Sequence, residues 1–445
     1  MMIDQPGSAT PDQLAHWLLA IWQEVLGHEV GLDDNFFAVG GDSIKAARIM
    51  NKVQQKTQAI FHPVSIFDAP SVAELTGYLQ KNYPKLFPSA AEQVATPPGA
   101  ATAMLGAAQI EQARQLLARK FAAPALIPQG QGGKNQRAIF LLSPPRSGST
   151  LLRVMLGGHA QLFSPPELYL LSFNNMNERQ ATFAGRLSFM KDGLVRAIMA
   201  LEHCTAAEAA QIMATLEAQE MPTKAVYHWL QSRLGARTLV DKTPPYALNP
   251  AVLARMEAEF DNAYYIHLVR HPAGMISSFE QARVDLATGD VLGDLPLSVR
   301  QKAELWWLFC QQNIGTFLEN VPAHRQHQVN FEELVKAPEA TSKALCQALG
   351  LAFDPAMLQP YAEQSTRMTD GVHPLARLVG DPKFHTHQAI TASVADHWQD
   401  EYEADFLSAE TWARAAVLGY ARADRPGEES PNAANPVDER EVWEI

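Results

Sequence analysis

The sequence predicts an α/β protein in which a small all-helical domain precedes a larger domain built on a parallel sheet. Helical periodicity without a strand pattern fills the first 83 or so residues, and short apolar strands recur between helical segments from about residue 137. A strand, a glycine-containing loop and a helix follow one another where this second region begins. Alternating strands and helices are typical of a parallel sheet with helices on both faces.

The first region, residues 10–83, has the pattern of a small helical bundle. Residues 12–26 place apolar side chains on one helical stripe, and a second helical run extends from the loop at residues 40–43 to Lys56. Ser71 and Glu74 form a capping box that opens a last short helix through Tyr78. We therefore expect a small all-α domain with three or four helices, and assign it to the four-helix-bundle class.

Ser43 follows Gly40-Gly-Asp42 at the start of the second predicted helix. A helix N-terminus favours a phosphodiester because of its dipole and its free N–H groups, whereas a plain N-cap serine is the alternative interpretation. The segment from Phe36-Phe37 to Ala46 resembles the attachment site of acyl and peptidyl carrier domains. The resemblance implies a 4′-phosphopantetheine arm on Ser43. The Gly-Gly-Asp-Ser-Ile form looks more like a peptidyl carrier, which points to an upstream module that loads an amino acid.

Two connecting segments flank the larger domain. Residues 84–136 are expected to form a linker that is rich in Ala and Pro up to Ala108 and contains one amphipathic helix at about residues 109–121. The larger domain is expected at residues 137–422, and residues 423–445 are expected to be disordered or to begin a connection to another domain. The predicted strands of the larger domain are Ala138–Leu142, Arg237–Val240, Tyr264–Val269 and Gln328–Phe331.

A strand, a loop and a helix meet at residues 138–156. Such a junction directs backbone N–H groups and the positive end of a helix dipole toward an anion. The loop differs from the nucleoside-triphosphatase P-loop, because Ser143 and Ser149 occupy the positions where that pattern needs glycine and lysine. We expect a P-loop-like connection with an anion over it, and a tight turn without a ligand is the alternative.

Residues 145–150, Pro-Arg-Ser-Gly-Ser-Thr, resemble the 5′-phosphosulfate loop of sulfotransferases that use 3′-phosphoadenosine 5′-phosphosulfate (PAPS). The resemblance implies that the cofactor is bound by the loop residues Arg146, Ser147, Gly148, Ser149 and Thr150. It also implies a sulfonate transfer, which needs a base for the acceptor hydroxyl and a cation for the departing phosphate.

Arg270 stands at the carboxyl end of a predicted strand, where ligands of open α/β sheets bind. Ser278 lies eight residues further on, within the helix that begins after Pro272. A guanidinium and a hydroxyl suit a terminal phosphate, and Arg-x-Pro followed by this serine resembles the 3′-phosphate motif of the same family. A structural salt bridge of Arg270 is the alternative interpretation.

Three residues are candidates for the transfer chemistry. Glu167 resembles the glutamate base of tyrosylprotein and heparan sulfotransferases, and a first-turn helix charge is its alternative role. Lys242, just past a strand end and followed by two prolines, resembles the lysine of Lys-x-Pro motifs that neutralises the bridging oxygen; a solvated lysine is the alternative. His228 lies off the apolar stripe of its helix and is the second candidate for proton transfer, with a solvent-exposed histidine as the alternative.

From about Arg137 to Trp398 the larger domain resembles the sulfotransferases embedded in polyketide synthases of the curacin and olefin-synthase type. The resemblance implies that Glu167 and His228 both lie in the active site, that Lys383 binds the cofactor, and that Arg377 to His387 close over the nucleotide as a lid. The segments that carry it are Ser143–Arg153, Ser164–Leu168, Val240–Pro244, Tyr265–Pro272, Arg367–Gly371 and Gly380–His385.

In that family the acceptor is a β-hydroxyl on an acyl chain tethered to a carrier. The sulfate becomes the leaving group when a downstream thioesterase releases and decarboxylates the chain, which gives a terminal alkene. The expected cofactors are therefore PAPS, with PAP as its product, and the phosphopantetheine on Ser43. The expected partners are upstream synthase modules and a thioesterase. Alkene formation is an inference about a pathway, whereas sulfonation is an inference about this chain.

Two other functions are compatible with the motifs. The enzyme would act on a soluble hydroxylated acceptor if the carrier domain served only as a docking module. A non-catalytic nucleotide-binding scaffold is the other alternative, and the presence of Glu167 and Lys242 beside both phosphate motifs argues against it. The arm must reach the loop at Arg146 or the carrier must dock onto a neighbouring copy, which leaves a homodimer open.

Composition limits the remaining classes of function. The 445 residues carry a formal net charge of −12, which argues against a general nucleic-acid binder, and 47% of them are hydrophobic, enough for packed cores. The sequence contains no apolar run of about 18 residues, so no membrane span is expected. Its first residues do not have the pattern of a signal peptide. The three cysteines lie far apart, and no carboxylate pattern accompanies the pair His385 and His387. We therefore expect no metal site. We expect a cytoplasmic protein.

Overall fold

The computed structural model describes residues 11–57, 59–62, 64–84, 86–87, 104–122, 133–287, 291–372, 384, 387–402 and 405–422. In these ranges an all-helical N-terminal domain precedes an α/β domain with a parallel sheet, as the sequence predicts. Lys383, His385, most of the predicted lid, and the tail from residue 423 lie outside the described residues. Within the described part, no helix is long and apolar enough to cross a membrane.

The N-terminal domain contains four helices: α1 (Pro11–Leu26), α2 (Ser43–Thr57), α3 (Val64–Asp68) and α4 (Val72–Asn82). Their apolar faces share one core that includes the fully buried Leu18 and Trp22. The predicted capping box is confirmed, because Ser71 Oγ accepts from the Glu74 N–H at 3.2 Å and Glu74 accepts from the Ser71 N–H at 3.0 Å. Helix α4 continues one turn beyond Tyr78, where the sequence predicts its end.

Helix α5 (Ala107–Phe121) is the helix predicted within the linker. It buries Ile110, Ala113, Leu116 and Leu117 in the main core of the α/β domain, so the described part of this segment packs as an element of that domain. Arg114 strengthens the attachment by donating to Glu410 at 2.9 Å.

The α/β domain is built on five parallel strands in the order β2-β3-β1-β4-β5. Successive residues of the central strand alternate between two hydrophobic cores, with Phe140 in one and Leu141 in the other, so both faces of the sheet are covered. The strands are β1 (Ala138–Leu142), β2 (Leu162–Phe163), β3 (Thr238–Asp241), β4 (Tyr264–Val269) and β5 (Gln326–Asn330).

Twelve further α-helices are described in this domain. They are α6 (Ser149–Leu156), α7 (Met176–Thr182), α8 (Asp192–Glu202), α9 (Ala206–Ala218), α10 (Thr223–Gln231), α11 (Pro250–Glu259), α12 (Pro272–Ala282), α13 (Val284–Ala287), α14 (Val299–Leu318), α15 (Phe331–Lys336), α16 (Pro338–Leu349) and α17 (Ala409–Val417). Strand β1 lies between β3 and β4, so the loops that leave the carboxyl ends of these three strands converge at one edge of the sheet, where open α/β sheets bind their ligands.

Candidate active site

The loop between β1 and α6 turns sharply because two of its residues adopt left-handed backbone conformations. Arg146 has a φ of 62° and Gly148 a φ of 87°. A Cβ atom at Gly148 would lie 2.2 Å from the ring of Phe331, so only glycine fits between the loop and α15. Within the described residues, the buried hydroxyls of Ser143 and Ser147 have no hydrogen-bond partner. The loop therefore combines a helix N-terminus with polar groups, as an anion-binding loop requires.

The two predicted phosphate motifs lie in direct contact. Arg146 Nε donates to Ser278 Oγ at 3.1 Å, and Arg270 Nη1 donates to the backbone carbonyl of Arg146 at 2.8 Å. The sequence predicts that Arg146 and Arg270 bind two separate anionic ends of a cofactor. In the structure, these hydrogen bonds join both arginines in one cluster. The cause is topological, because β1 and β4 are adjacent strands and their following loops meet.

Arg270 is held by its neighbours on both its backbone and its side chain. Trp307 Nε1 in α14 donates to the Arg270 carbonyl at 3.0 Å. The guanidinium lies 4.4 Å above the centre of the Phe331 ring, within the range of a cation–π interaction. The orientation of Arg270 is therefore set by α14 and α15, which the motif itself does not include.

Glu167 and Lys242 form an ion pair in the interior. Lys242 Nζ contacts Glu167 Oε1, and also lies 3.4 Å from Thr150 Oγ1 in the first turn of α6. Lys242 comes directly after β3, whereas Glu167 belongs to the segment after β2. Gly193 allows α8 to pass close to that segment, since a Cβ atom there would lie 2.0 Å from the Glu167 carbonyl oxygen. The pair thus joins two neighbouring strand ends to the predicted anion loop.

Asp241 is a buried carboxylate beside this pair that the sequence analysis did not single out. Burial raises the pKa of Asp241 to about 6, although hydrogen bonds from the Tyr227 and Thr243 hydroxyls oppose the shift. Thr243 Oγ1 donates to Asp241 Oδ1 at 2.9 Å, and the Tyr227 hydroxyl donates to Oδ2. Its position immediately before Lys242 is the signal that could have drawn attention to it.

One cavity of about 480 Å³ collects most of the predicted site residues. Its lining contains the groups expected to bind anions and those expected to carry out the transfer: Arg146, Gly148, Ser149, Thr150, Glu167, Lys242, Arg270 and Ser278. Ser147 is absent from the lining, and it is fully buried. Ser43 is the first residue of α2, and its side chain lies outside what the structure describes.

His228 is not brought to this cavity. It lies on the exposed side of α10 and is not among the residues that line the cavity. The preceding residue, Tyr227, takes the interior position and bonds to Asp241, and successive helix positions point about 100° apart. The structure therefore does not support the expectation that His228 shares proton transfer with Glu167.

The predicted lid is described only in part. Phe384 and His387 line the cavity, and the Phe384 ring lies 4.9 Å from the ring of Tyr361. Lys383 and His385 lie outside the described residues, so their predicted roles have no structural counterpart here. Across the residues that the structure describes, no group of three or more His, Cys, Asp or Glu side chains is arranged to hold a metal ion.

The cavity also contains residues that sequence reasoning missed. Glu401 accepts from the Ser277 hydroxyl and from Gln281 Nε2, the latter at 2.7 Å, and so joins a late segment to α12. His62, from the segment before α3 in the N-terminal domain, also lines the cavity. The contacts of Glu401 with Ser277 and of His62 with Ala282 each join residues more than a hundred positions apart, and no local motif signals them.

Two protein-family models match separate parts of the chain. A model described as "Sulfotransferase family" matches residues 138–355, and one described as "Phosphopantetheine attachment site" matches residues 16–79. The first range contains the loop, the ion pair and Arg270, and the second contains Ser43.

Two solved structures are similar to most of the larger domain. The sulfotransferase domain from the curacin biosynthetic pathway is 42% identical, with a TM-score of 0.60, over 65% of this chain and 99% of that one. The sulfotransferase domain from the Synechococcus PCC 7002 olefin synthase is 37% identical, with a TM-score of 0.59, over 66% of this chain and 99% of that one.

Shorter similarities connect the chain with peptide synthases. Surfactin synthase subunit 2 of Bacillus subtilis (strain 168) is 38% identical over 86 residues, which are 18% of this chain. Tyrocidine synthase 2 of Brevibacillus parabrevis is 33% identical over 73 residues, which are 16% of this chain. The matched part spans only 2% of the length of either synthase, so the similarity concerns a single small module.

Proposed function

We propose a function for this chain on the premise that it belongs to the sulfotransferase family and carries a phosphopantetheine attachment domain ahead of the sulfotransferase domain. The chain transfers a sulfonate group from PAPS to the β-hydroxyl of an acyl chain tethered to a phosphopantetheine carrier. The observation that carries the proposal is the shared cavity, in which the Glu167–Lys242 pair faces the cluster of Arg146, Ser278 and Arg270.

The residues of the cavity fit a nucleotide with two anionic ends. Two guanidinium groups, the hydroxyl of Ser278 and the N-terminus of α6 all lie at the same edge of the sheet. Arginine forks and helix N-termini are the groups that bind phosphates in proteins. Arg146, Ser149, Thr150, Arg270 and Ser278 would hold PAPS, and the buried hydroxyl of Ser147 would support the loop. PAPS supplies an activated sulfonate on a phosphate leaving group and becomes PAP.

Glu167 and Lys242 divide the chemical work between them. The carboxylate of Glu167 accepts the proton of the acceptor hydroxyl, which makes that oxygen a better nucleophile. The ammonium of Lys242 donates to the leaving-group oxygen and neutralises the charge that develops there. The two side chains contact each other in the free protein. Lys242 therefore has to move from the carboxylate to the bound anion before Glu167 can act as a base.

The domain combination supports the proposed acceptor and pathway. A carrier domain in the same chain raises the effective concentration of a tethered acyl group at the cavity. Upstream synthase modules would load the arm on Ser43. The sulfate placed on the β-carbon would then be a good leaving group for a decarboxylative elimination by a downstream thioesterase, with an alkene as the product.

Intact-mass measurement of the holo chain tests this function. The chain is loaded with a β-hydroxyacyl group on Ser43 and incubated with PAPS, and the expected gain is the mass of one sulfonate on the arm. The same acyl group without its hydroxyl serves as the control substrate and gains nothing. Sulfonation of a soluble hydroxylated compound, with none of the tethered chain, would overturn the proposal in favour of a docking role for the carrier.

A further inference from the structure

The N-terminal helical domain reaches the wall of the catalytic cavity through His62. His62 lines the cavity, and its Nε2 lies 2.6 Å from the carbonyl oxygen of Ala282, the last residue of α12. Because a carbonyl only accepts, Nε2 carries the proton. Burial lowers the pKa of His62, the Ala282 carbonyl opposes this effect, and the positive charge of Arg146 lowers it further. His62 and Arg146 are therefore close enough to interact although they belong to different domains.

A second contact between the domains lies at the next residue, Arg283. Its guanidinium donates to the backbone carbonyl of Asn82 at the end of α4 and lies 5.4 Å from the centre of the Tyr83 ring. Asp285 holds it in place through two hydrogen bonds of 3.0 Å. Leu286, in α13, packs against the core of the helical domain. The turn from α12 to α13 thus contacts both the His62 segment and the end of α4.

The loop that leads into α2 and Ser43 is connected to the larger domain through α3. Helix α3, which follows His62, contacts the 3₁₀ helix Gly185–Lys191 of the larger domain. Phe189 and Met190 of that 3₁₀ helix line the cavity. On its other side, α3 places the Phe67 ring 4.8 Å from the ring of Phe37, in the loop that leads into α2 and Ser43. Contacts therefore run from the Ser43 loop through α3 to the cavity wall.

We infer that the turn Ala282–Leu286 is the docking surface for the carrier domain of the same chain, and that the arm on Ser43 enters the cavity in cis. His62 acts as a positioning residue that fixes the carrier at the cavity wall. The inference rests on the proposed function and names the partner surface that the function uses. It assigns the acceptor arm to the same chain as the cavity, whereas the sequence also allows the arm of a neighbouring copy.

Arg283→Ala separates docking from chemistry. Arg283 does not line the cavity, so sulfonation of a β-hydroxyacyl group on free pantetheine should keep its wild-type rate, while single-turnover transfer to the chain's own arm should fall about tenfold or more. Arg233→Ala is the matched control, because Arg233 pairs with Glu202 elsewhere on the larger domain. Equal loss on both substrates, or no loss on either, overturns the docking surface. Wild-type protein that sulfonates neither substrate instead overturns the proposed function.

A mixing experiment tests whether transfer occurs in cis. Glu167→Gln protein with a loaded arm is combined with Ser43→Ala protein, which has an intact cavity but no arm. Transfer in the mixture should be at least about tenfold slower than in wild type and should rise with concentration, whereas the wild-type rate per chain should not. A mixture as fast as wild type would show that carriers serve neighbouring copies and would overturn the inference.

Substitutions at His62 test its positioning role. His62→Ala removes the N–H donated to Ala282 and should lower the ratio of own-arm to free-substrate transfer, whereas His62→Gln offers an amide N–H and should restore most of that ratio. His16→Ala is the control in the same domain, since His16 is exposed in α1 and its Nδ1 lies 2.7 Å from the carbonyl oxygen of Asp12 in the same helix. Equal ratios in His62→Ala and His62→Gln would contradict a role that depends on this hydrogen bond.

Discussion

The ammonium of Lys242 lies against the carboxylate of Glu167 in the cavity wall, where the two residues are only 1% and 6% exposed. Opposite charges in the interior stabilise each other, and removing one leaves the other uncompensated. The pair therefore has two roles that experiments can separate. Each charge stabilises the other in the free protein, and in the proposed mechanism the lysine leaves the carboxylate when an anionic ligand binds, so that Glu167 can accept a proton.

Lys242→Met should destabilise the protein as well as inactivate it. Loss of one partner of a buried ion pair costs about 3–5 kcal/mol, and the double variant Lys242→Met/Glu167→Gln should recover most of this loss without recovering activity. Chemical unfolding followed by tryptophan fluorescence measures the stability. Lys52→Met, which breaks an exposed pair with Glu24, should cost less than about 1 kcal/mol. A Lys242→Met protein as stable as wild type would contradict the structural role.

Glu167→Gln should separate binding from catalysis. The amide keeps the size of the side chain and loses its basicity, so PAP should still bind while turnover falls by about two to four powers of ten. Calorimetry and single-turnover assays give the two quantities. His228→Ala is the control and should keep wild-type turnover, because His228 is exposed and away from the cavity. The opposite outcome, an active Glu167→Gln and an inactive His228→Ala, would move the base to the histidine.

Arg146→Ala and Arg270→Ala should each weaken PAP binding by about ten- to a hundredfold, since each removes a charge-assisted hydrogen bond worth about 1.5–3 kcal/mol. The double variant should lose less than the sum, because Arg270 holds the loop of Arg146 through its backbone carbonyl, so that Arg270→Ala also displaces the Arg146 guanidinium. Arg325→Ala serves as the control and should leave PAP binding unchanged. Arg325 directly precedes β5 and forms an ion pair with Glu257 in α11. Strictly additive losses in calorimetry would show that the two arginines act independently.

Ser43 should accept a phosphopantetheine group from a transferase of broad specificity, because it opens α2 after the Gly-Gly-Asp loop. Intact-mass measurement should show one added group on the wild-type chain and none on Ser43→Ala. Ser71→Ala is the control, because Ser71 also stands at a helix N-terminus, that of α4. This variant should accept one group, as the wild-type chain does. An unmodified wild-type chain would remove the arm from the mechanism.

Asp241 should make stability depend on pH in the direction opposite to an ordinary ion-paired carboxylate. Its pKa of about 6 in the folded protein lies above the unfolded value of about 4, so folding favours the protonated form between these values. The contribution of this group is fully present below about pH 4 and is lost as the pH rises through about 6. Asp241→Asn, which cannot ionise, should gain stability relative to wild type from about pH 4 to pH 7. Parallel melting curves at several pH values would show no such divergence if Asp241 stayed ionised throughout.

Of the five strands described in the sheet, sequence reasoning located four, two of them with bounds shifted by one or two residues, and missed the shortest. Strands β1 and β4 lie where the sequence predicts them, because buried parallel strands are continuous apolar runs. Strand β2 has only two residues, too few for a periodic pattern, and was missed. Phe331 was assigned to the end of a strand, but it begins α15 and packs under the site.

The site was predictable where its residues follow a strand end, and not where they approach from a distance. Arg146, Lys242 and Arg270 each come just after a strand, so parallel topology alone brings them together. Glu401 and His62 reach the cavity through contacts across 124 and 220 residues, which no local pattern encodes. His228 shows the converse, since helical periodicity identifies a polar face without revealing whether that face meets solvent or a cavity.

The ring of Phe331 acts as a spacer between the two anion-binding segments, because it fills the space behind Gly148 and lies beneath the guanidinium of Arg270. A side chain added at position 148 would have to displace this ring, and the ring would carry Arg270 with it. If the proposed site binds the sulfonate donor, a change of donor specificity by protein engineering would therefore involve all three positions at once. A library that varies Gly148, Arg270 and Phe331 together can reach altered sites that substitution of any one of them would only destroy.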